Sequence, residues 1–322
     1  MTAPIIRTVT VPDRDLLEAL APLPEGINVA VWDFKSAPVG ANLEDVDAAV
    51  LPYMSRGDLS DQLQSAPSLK LVQTQSTGYE GVPEMAGDGV AVCSAAGVHA
   101  AATAEMAVGL AIASLRGIGV AMLNQRDGVW KPARFPGLAD RKVLLLGVGG
   151  IGEEIARRLD AFEVELTRVG STARTDDRGR VHGSEELVEL AARHDVLIII
   201  TPLSDSTRGL VGRKVLAALP DGALVINVAR GPVVDSDALT AEVVSGRLYA
   251  AVDVFDPEPI PADHPLWAAE NAIITPHNGG NTGAFWPRIV RLLRRQLDAL
   301  AAGREPVNLV VPGPWESDRT AG

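Results

Sequence analysis

The chain has 322 residues, 47% of them hydrophobic and 22% charged, which excludes a disordered protein and supplies material for about two domains. Its formal net charge of −12 argues against nucleic acid or an anionic membrane as a partner, because both recruit clustered positive charge. An anionic small molecule would therefore have to be drawn by local cations rather than by the field of the whole protein.

Taken in chain order, β-branched runs at Ile5–Val11, Ile27–Trp32, Ala48–Tyr53 and Leu69–Thr74 predict a first group of strands. Arg7 and Asp13 interrupt the apolar character of the first fifteen residues, so no secretory signal is expected. Cys93, the single cysteine, closes the strand-like run Val90–Cys93; it has no disulfide partner within the chain and is expected as a buried thiol in a reducing, cytoplasmic setting. Ala101–Gln125 has a helical period and predicts one long helix connecting two domains. Within it, Met106–Leu115 is the longest strongly apolar stretch, shorter than the ~20 residues a membrane span needs, and is expected as buried helix. A second group of strands follows at Val143–Gly147, Val164–Val169, Val196–Thr201, Leu224–Val228, Ala250–Val254 and Ala272–Thr275. Strands alternating with helical patterns imply parallel sheets with crossover helices, and the unbroken apolar run Val196–Ile200 marks a central strand covered on both faces. A last helix over Ile289–Ala302, an extended stretch Pro306–Val311 and a frayed polar tail Pro314–Gly322 complete the chain. The fold class expected is α/β with two Rossmann-like doubly wound domains. One is a discontinuous, flavodoxin-like substrate domain (1–98 and 282–322), and a dinucleotide-binding domain (99–281) is inserted into it.

The strand Val143–Leu146 runs into Gly147-Val148-Gly149-Gly150-Ile151-Gly152 and then a helix, the G-x-G-x-x-G arrangement of a dinucleotide site. Gly147 is expected to make the tight turn, Gly149 to let backbone approach a pyrophosphate, and Gly152 to allow close helix–strand packing. The pyrophosphate would rest on the helix N-terminus, where unpaired N–H groups favour an anion. About 20 residues further on, where an NAD site places an acid for the ribose hydroxyl, stands Gly170. Ser171, Thr172 and Arg174 offer hydroxyls and a guanidinium instead, which suits a 2′-phosphate, so NADP(H) is expected over NAD(H). A solvated loop with an incidental arginine is the alternative.

Three further segments lie at strand ends of the second half: Asn227–Pro232, Asp253–Pro259 and Thr275–Gly280. With the glycine motif, Gln73–Val82, Gly97-Val98-His99, Thr103-Ala104-Glu105 and Thr201-Pro202-Leu203, their order and spacing resemble the D-2-hydroxyacid dehydrogenase family over nearly the whole chain. The resemblance implies hydride transfer between a nicotinamide and a small anionic 2-oxo or 2-hydroxy acid. Independently of it, such a reduction needs a cation for the carboxylate and developing alkoxide, and a proton donor, since hydride arrives without a proton. Arg230 and His277 fit those needs, with Glu258 hydrogen-bonding and orienting the imidazole.

The resemblance assigns Arg230 to substrate and the Glu258–His277 pair to the acid/base relay. It places Thr103, Gly150, Ile151, Thr201, Pro202, Val228, Ala229, Arg230, Asp253, His277, Gly279 and Gly280 along the cofactor, Asp253 at the nicotinamide carboxamide. Backbone amides around Thr77 and Gly78, with Tyr53, would bind the substrate carboxylate from the other domain, making the site an interdomain cleft. Met54, Tyr79 and Trp286 are further candidates for a pocket wall, although Phe285-Trp286-Pro287 departs from the family and Trp286 would alternatively pack at a helix start. His182, His194 and His264 are expected to face solvent, His99 to help begin the connecting helix, and no metal is expected. Family members are homodimers through the nucleotide domain, and the long apolar helix from Thr103 is compatible with that. The rivals are an NAD(H)-sensing corepressor-like binding protein and a phosphite or formate dehydrogenase relative. Glu258 argues against the formate type, which carries Gln there, and Thr77 against the phosphite type, which carries Lys.

Overall fold

A computed structural model describes residues 4–54 and 57–315. The first elements are β1 (Thr8–Val11), α1 (Arg14–Leu20), β2 (Asn28–Val31), β3 (Ala48–Val50), α2 (Ser60–Gln64), β4 (Leu71–Gln73), α3 (Val82–Ala86) and β5 (Ala91–Cys93). There follow α4 (Ala100–Leu115), α5 (Ile118–Arg126), β6 (Lys142–Leu146), α6 (Gly150–Leu159), β7 (Glu165–Val169), β8 (Arg174–Asp176) and β9 (Gly179–His182). The remainder comprises α7 (Leu187–Ala191), β10 (Val196–Ile199), α8 (Arg213–Ala218), β11 (Leu224–Asn227), α9 (Ser236–Val244), β12 (Tyr249–Val252), β13 (Ala272–Ile274), α10 (Phe285–Ala301) and β14 (Leu309–Val311). The chain divides into two compact units, Met1–His99 with Gly283–Gly322, and Ala100–Thr282.

The first unit is a six-stranded sheet in the order β14-β5-β4-β3-β1-β2, parallel except for β14, which runs antiparallel to β5. Apolar residues spaced three and four apart on α10 (Ile289, Leu292, Leu293, Leu297, Leu300) cover one face together with Leu16 and Leu20 of α1. Leu63, Val82 and Ala86 of α2 and α3 cover the other. Cys93 is fully buried, and burial pushes its thiol up to about 12. The expected frayed tail is corrected at its start: Trp315 is 2% exposed and packs in this core, because β14 carries the chain back along the sheet. Residues from 316 onward lie outside the described residues.

The second unit is an eight-stranded sheet in the order β13-β12-β11-β10-β6-β7-β9-β8, parallel except for the β8–β9 hairpin at its edge. The strand order reverses beside β6, since β7 lies on one side of it and β10 on the other. The register decides what the sheet can do. Leu146 pairs with Ile199, Ile199 with Asn227, Asn227 with Val252, and Val252 with Ile274, so five strands end in one row. Ligands of open α/β sheets bind beyond such carboxyl ends, at the point where the strand order reverses.

The single long helix expected over Ala101–Gln125 is two helices, α4 and α5, bent by 65° at Arg116-Gly117. Gly117 takes a φ of +61°, and a Cβ there would lie 2.1 Å from the Phe135 ring, so the break is fixed by a residue far along the chain. The apolar face of α4 is buried within its own unit against α6 and the sheet. Among the described residues no single helix is long and apolar enough to cross a membrane.

Candidate active site

In the second unit β6 ends at Leu146, and Gly147 turns the chain with a φ of +117°, where a Cβ would lie 2.7 Å from the carbonyl carbon of Ile200 and 2.8 Å from the Thr201 nitrogen. A Cβ on Gly152 would lie 2.1 Å from the Gly147 oxygen, so α6 packs on its own entry turn in a way only glycine permits. Gly149 and Gly150 differ: nothing lies within 4 Å of a Cβ on either. Gly149 is the N-cap of α6 and no side chain caps the helix, which leaves its first N–H groups, those of Gly150 and Ile151 included, without a side-chain acceptor. That cradle, with helix-dipole polarity suited to an anion, fits a dinucleotide's pyrophosphate.

Beyond β7, Gly170 stands where the ribose acid was sought. Ser171, Thr172 and Arg174 are exposed, and the Arg174 guanidinium, which donates to the Thr172 carbonyl at 3.4 Å, lies over Gly170. A Cβ on Gly170 would meet Arg174 Nη1 at 3.0 Å and Val148 Cγ2 of the glycine turn at 3.2 Å. Arg174 therefore sits on a strand, β8, rather than in a loop.

The other strand ends carry the polar groups. After β11, Val228 and Ala229 are buried and Arg230 is half-buried, its Nη1 donating to the Ala229 carbonyl at 2.8 Å. Asn227 holds this turn: its Oδ1 accepts from Ala229 N at 3.1 Å and its Nδ2 donates to the Arg230 carbonyl at 3.1 Å. A Cβ on Gly231 would lie 2.0 Å from the Phe255 oxygen, so the Arg230 turn packs directly on the segment after β12. In that segment Glu258 Oε1 accepts from Phe255 N at 3.1 Å, and Oε2 lies 2.8 Å from His277 Nδ1. An ionised carboxylate only accepts, so Nδ1 carries the proton in this contact and Nε2 is the ring nitrogen that Glu258 does not engage.

His277 adopts a φ of +54°, uncommon for a side chain of its size, held by its N–H donating to the carbonyls of Asp253 and Thr275. Asp253, 3% exposed, accepts from Thr275 Oγ1 at 2.5 Å, Asn278 N at 2.9 Å and Gly279 N at 2.8 Å. Three of its roughly four acceptor positions thus hold the His277 loop and one is left over, enough for a carboxamide N–H. Gly279 also abuts Thr103 of α4, whose Cγ2 would lie 3.6 Å from a Cβ there. Gly280 follows on the same loop; Thr201 is half-buried and Pro202 exposed beyond β10. Among the described residues no cluster of three or more His, Cys, Asp or Glu side chains could hold a metal ion.

The sequence model of the D-isomer specific 2-hydroxyacid dehydrogenase, NAD binding domain, matches residues 108–279. Glyoxylate reductase of Thermofilum pendens is 32% identical over 307 residues, covering 90% of each chain. The chain belongs to the D-isomer-specific 2-hydroxyacid dehydrogenase family. A solved structure of an NADPH-dependent glyoxylate/hydroxypyruvate reductase from Sinorhizobium meliloti, in complex with NADP and malonate, is similar with a TM-score of 0.78 at 29% identity, covering 96% of this chain and 98% of that one. A D-isomer specific 2-hydroxyacid dehydrogenase from Xanthobacter autotrophicus Py2, in complex with NADPH and MES, gives 0.80 at 28% identity, covering 96% and 99%. The protein is thus an NAD(P)-dependent oxidoreductase acting on the CH–OH group of a 2-hydroxy acid, and these relatives do not favour the corepressor, formate or phosphite alternatives.

The first unit of this dehydrogenase holds the remaining candidates. The loop carrying Thr77 and Gly78 is fastened by its own side chains: Thr74 Oγ1 donates to the Ser76 carbonyl, Ser76 Oγ to the Gly78 carbonyl, and Gln75 Nε2 to the Leu51 carbonyl. Among the described residues, no hydrogen bond is formed by the backbone N–H of Thr77 or Gly78. Tyr53 is half-buried and stacks on Phe285 at 4.0 Å and on His99 at 5.7 Å; burial raises its phenol above the ordinary range. His99 directly precedes α4 and also contacts the Gln75 carbonyl through Nε2 at 2.8 Å. Phe285, which sequence reasoning passed over for its neighbour, is the aromatic that packs here, while Trp286 is 42% exposed in the first turn of α10.

His194 is buried, not solvent-facing: its Nδ1 contacts the Leu190 carbonyl at 2.6 Å where α7 runs down to β10. His182 is half-buried against Glu186 at 2.8 Å, and His264 is half-buried against Phe255. Asn227 and Asp253 are the buried residues whose framing of the Arg230 and His277 turns no local pattern displayed.

Proposed function

We propose that this dehydrogenase reduces glyoxylate, hydroxypyruvate or a related small 2-oxo acid to its D-2-hydroxy acid and prefers NADPH to NADH. The observation that carries the chemistry is the 2.8 Å contact between Glu258 Oε2 and His277 Nδ1, on a loop packed against the turn of Arg230. When bound, the reduced nicotinamide supplies the hydride that the carbonyl carbon needs. The Arg230 guanidinium binds the substrate and stabilises negative charge growing on its carbonyl oxygen. His277 enters this step as the imidazolium, gives its Nε2 proton to that oxygen and keeps its Nδ1–H, while Glu258 accepts from Nδ1 and holds the ring in the orientation this requires. Tyr53 and the amides of Thr77 and Gly78 take the substrate carboxylate. Gly147, Gly149, Gly150, Ile151 and Gly152 cradle the pyrophosphate. Thr103, Thr201, Pro202, Val228, Ala229, Asp253, Gly279 and Gly280 line the rest of the coenzyme.

The preference for NADPH rests on Gly170 in place of an acid, with Arg174 over it and the hydroxyls of Ser171 and Thr172 beside it. The structures from Sinorhizobium meliloti and Xanthobacter autotrophicus Py2 carry NADP and NADPH. A homodimer is part of the same proposal, but its contact is assigned to α5 and the segment after it rather than to α4. Ile118, Val120, Met122, Leu123, Val129 and Trp130 are exposed there, Trp130 at 95%. We also place the enzyme in the cytoplasm, in keeping with its one free, buried cysteine.

The test is a panel of 2-oxo acids assayed with both coenzymes, with the hydroxy-acid product resolved by chiral chromatography. Turnover to the D product, faster at limiting NADPH than at limiting NADH, is expected. Coenzyme binding without turnover of any acid in the panel would overturn the proposal and leave a nucleotide-binding protein.

A further inference from the structure

Arg174 is the first residue of β8, a three-residue strand at the outer edge of the sheet, and all three of its residues are exposed. The hairpin it opens pairs Arg174 with Val181, Thr175 with Arg180 and Asp176 with Gly179. Of these six residues only Val181 is a buried apolar one, and β9 pairs with β7 at Val181 and His182, so the Thr175–Arg180 end of the hairpin has neither that ladder nor apolar packing to hold it. Something else must fix the guanidinium over Gly170.

Two arginines do so. Arg168 lies on β7 with 6% exposure and reaches across to β8: Nη1 donates to Asp176 Oδ2 at 2.9 Å and Nη2 to Asp176 Oδ1 at 2.6 Å. Its Nη2 also donates to the Gly179 carbonyl at 3.1 Å, so one buried guanidinium grips both strands of the hairpin. The Arg168 hydrogen bond holds the Asp176 carboxyl below the usual carboxylate range. Arg178, in the hairpin turn, donates from its backbone N–H to Asp176 Oδ1 at 2.9 Å. Its side chain donates from Nε to Glu153 Oε1 at 2.5 Å and from Nη1 to Asp160 Oδ2 at 3.0 Å, on and just after α6. Isolated surface ion pairs contribute little, but a buried, bidentate arginine is the arrangement in which geometry is fixed.

We propose that Arg168 and Asp176 are positioning residues for coenzyme choice. Their bidentate pair, completed by the Arg178 bridge to α6, holds the β8–β9 hairpin so that Arg174 stays over Gly170, ready for a 2′-phosphate. The inference rests on the assignment of Arg174 to that phosphate. A pair serving only fold stability would affect both coenzymes alike.

The experiment measures calorimetric binding of adenosine 2′,5′-bisphosphate and of 5′-AMP to Asp176→Asn, Asp176→Glu, Arg178→Gln and Arg174→Ala enzymes, with melting curves and NADPH and NADH kinetics alongside. Asp176→Asn and Arg178→Gln are expected to weaken the bisphosphate about ten-fold, the scale of one charge-assisted contact, and 5′-AMP less than about two-fold. Asp176→Glu should regain part of the bisphosphate affinity. Equal weakening of both ligands, or no change in a folded protein, overturns the inference. If Asp176→Asn fails to fold because Arg168 is left uncompensated, Arg178→Gln at the surface decides by the same criterion. A bisphosphate affinity unchanged in Arg174→Ala means that the coenzyme assignment itself is wrong. A selective loss in Arg174→Ala without one in the hairpin variants refutes only the positioning role.

Discussion

Two alanine substitutions three residues apart should fail in opposite ways. Gly149 has φ −77° and ψ −171°, extended backbone open to any residue, and its Cβ would meet no protein atom within 4 Å. Alanine there gives up only a favourable N-cap residue, worth about 0.5–1 kcal/mol. At roughly 2–4 °C per kcal/mol for a domain of this size, the uncomplexed enzyme should melt within about 4 °C of the parent. The same methyl group occupies the space into which the pyrophosphate must come. Losing one or two charge-assisted N–H contacts of roughly 1.5–3 kcal/mol each weakens NADPH at least ten-fold. Gly152→Ala presses a methyl group to 2.1 Å from the Gly147 oxygen and 2.9 Å from its carbon, backbone atoms that cannot swing aside. Overpacking of that kind costs about 1–3 kcal/mol, so melting should drop by roughly 2–12 °C before any ligand is added. Differential scanning fluorimetry without coenzyme and a fluorescence titration with NADPH measure both quantities. A Gly149→Ala enzyme that binds NADPH as the parent does would refute the placement of the pyrophosphate on α6.

Glu258→Gln should lower kcat about ten-fold with little change in coenzyme KM, because glutamine has one acceptor oxygen where the glutamate uses two, for Phe255 N and for His277. Steady-state kinetics check this, and an unchanged kcat removes Glu258 from the relay. Arg230→Gln should cut kcat/KM for 2-oxo acids by about 10²-fold or more, and Arg230→Lys should recover only part, since a point charge cannot reproduce a planar fork. Coenzyme affinity measured in parallel separates this from damage to the turn. Cys93, pushed up to about 12 by burial, should not react with a thiol reagent at pH 8 until the protein is unfolded. The sign follows from the shift: the unfolded thiol titrates near its ordinary value of 9.0, so stability from this group is intact below that pH and is lost as pH rises toward 12. Denaturant melts at pH 8 and 10.5 read it, and equal midpoints for the parent and Cys93→Ala differences would count against it.

The glycine turn was legible, and Arg230, Glu258 and His277 stood out as candidates, because each sits in a short segment whose chemistry is local: a strand, a break, then a residue type few structural roles require. The β8–β9 hairpin was not, since Arg174–His182 reads as a polar loop, while its pairing with β7 and the side-chain contacts of Arg168 and Arg178 are encoded by no periodicity. The bend at Gly117 depends on the ring of Phe135 eighteen residues away. His194 was assigned to solvent on polarity, yet its Nδ1 finds a carbonyl at 2.6 Å on the preceding helix, which lets most of the ring be covered. Phe285 was overlooked because its partners, Tyr53 and His99, belong to loops far earlier in the chain.

The register of the second sheet explains how loops of this length can hold a reactive group still. Five strands end in one row, and the two polar residues at or just beyond that row in the interior, Asn227 and Asp253, are 2% and 3% exposed. Buried polar groups are costly unless paired; the Asn227 side chain finds its partners in the turn that follows it, and the Asp253 carboxylate finds its own in the loop after the neighbouring strand β13. The Arg230 turn cannot shift without orphaning the Asn227 amide. The His277 loop cannot leave its left-handed backbone without stripping three donors from a buried carboxylate. The cost of φ +54° at His277, of order 1–3 kcal/mol, is smaller than that of leaving such an anion unpaired. The reactive side chains thus inherit the rigidity of the strands through two residues that need never touch the substrate acid.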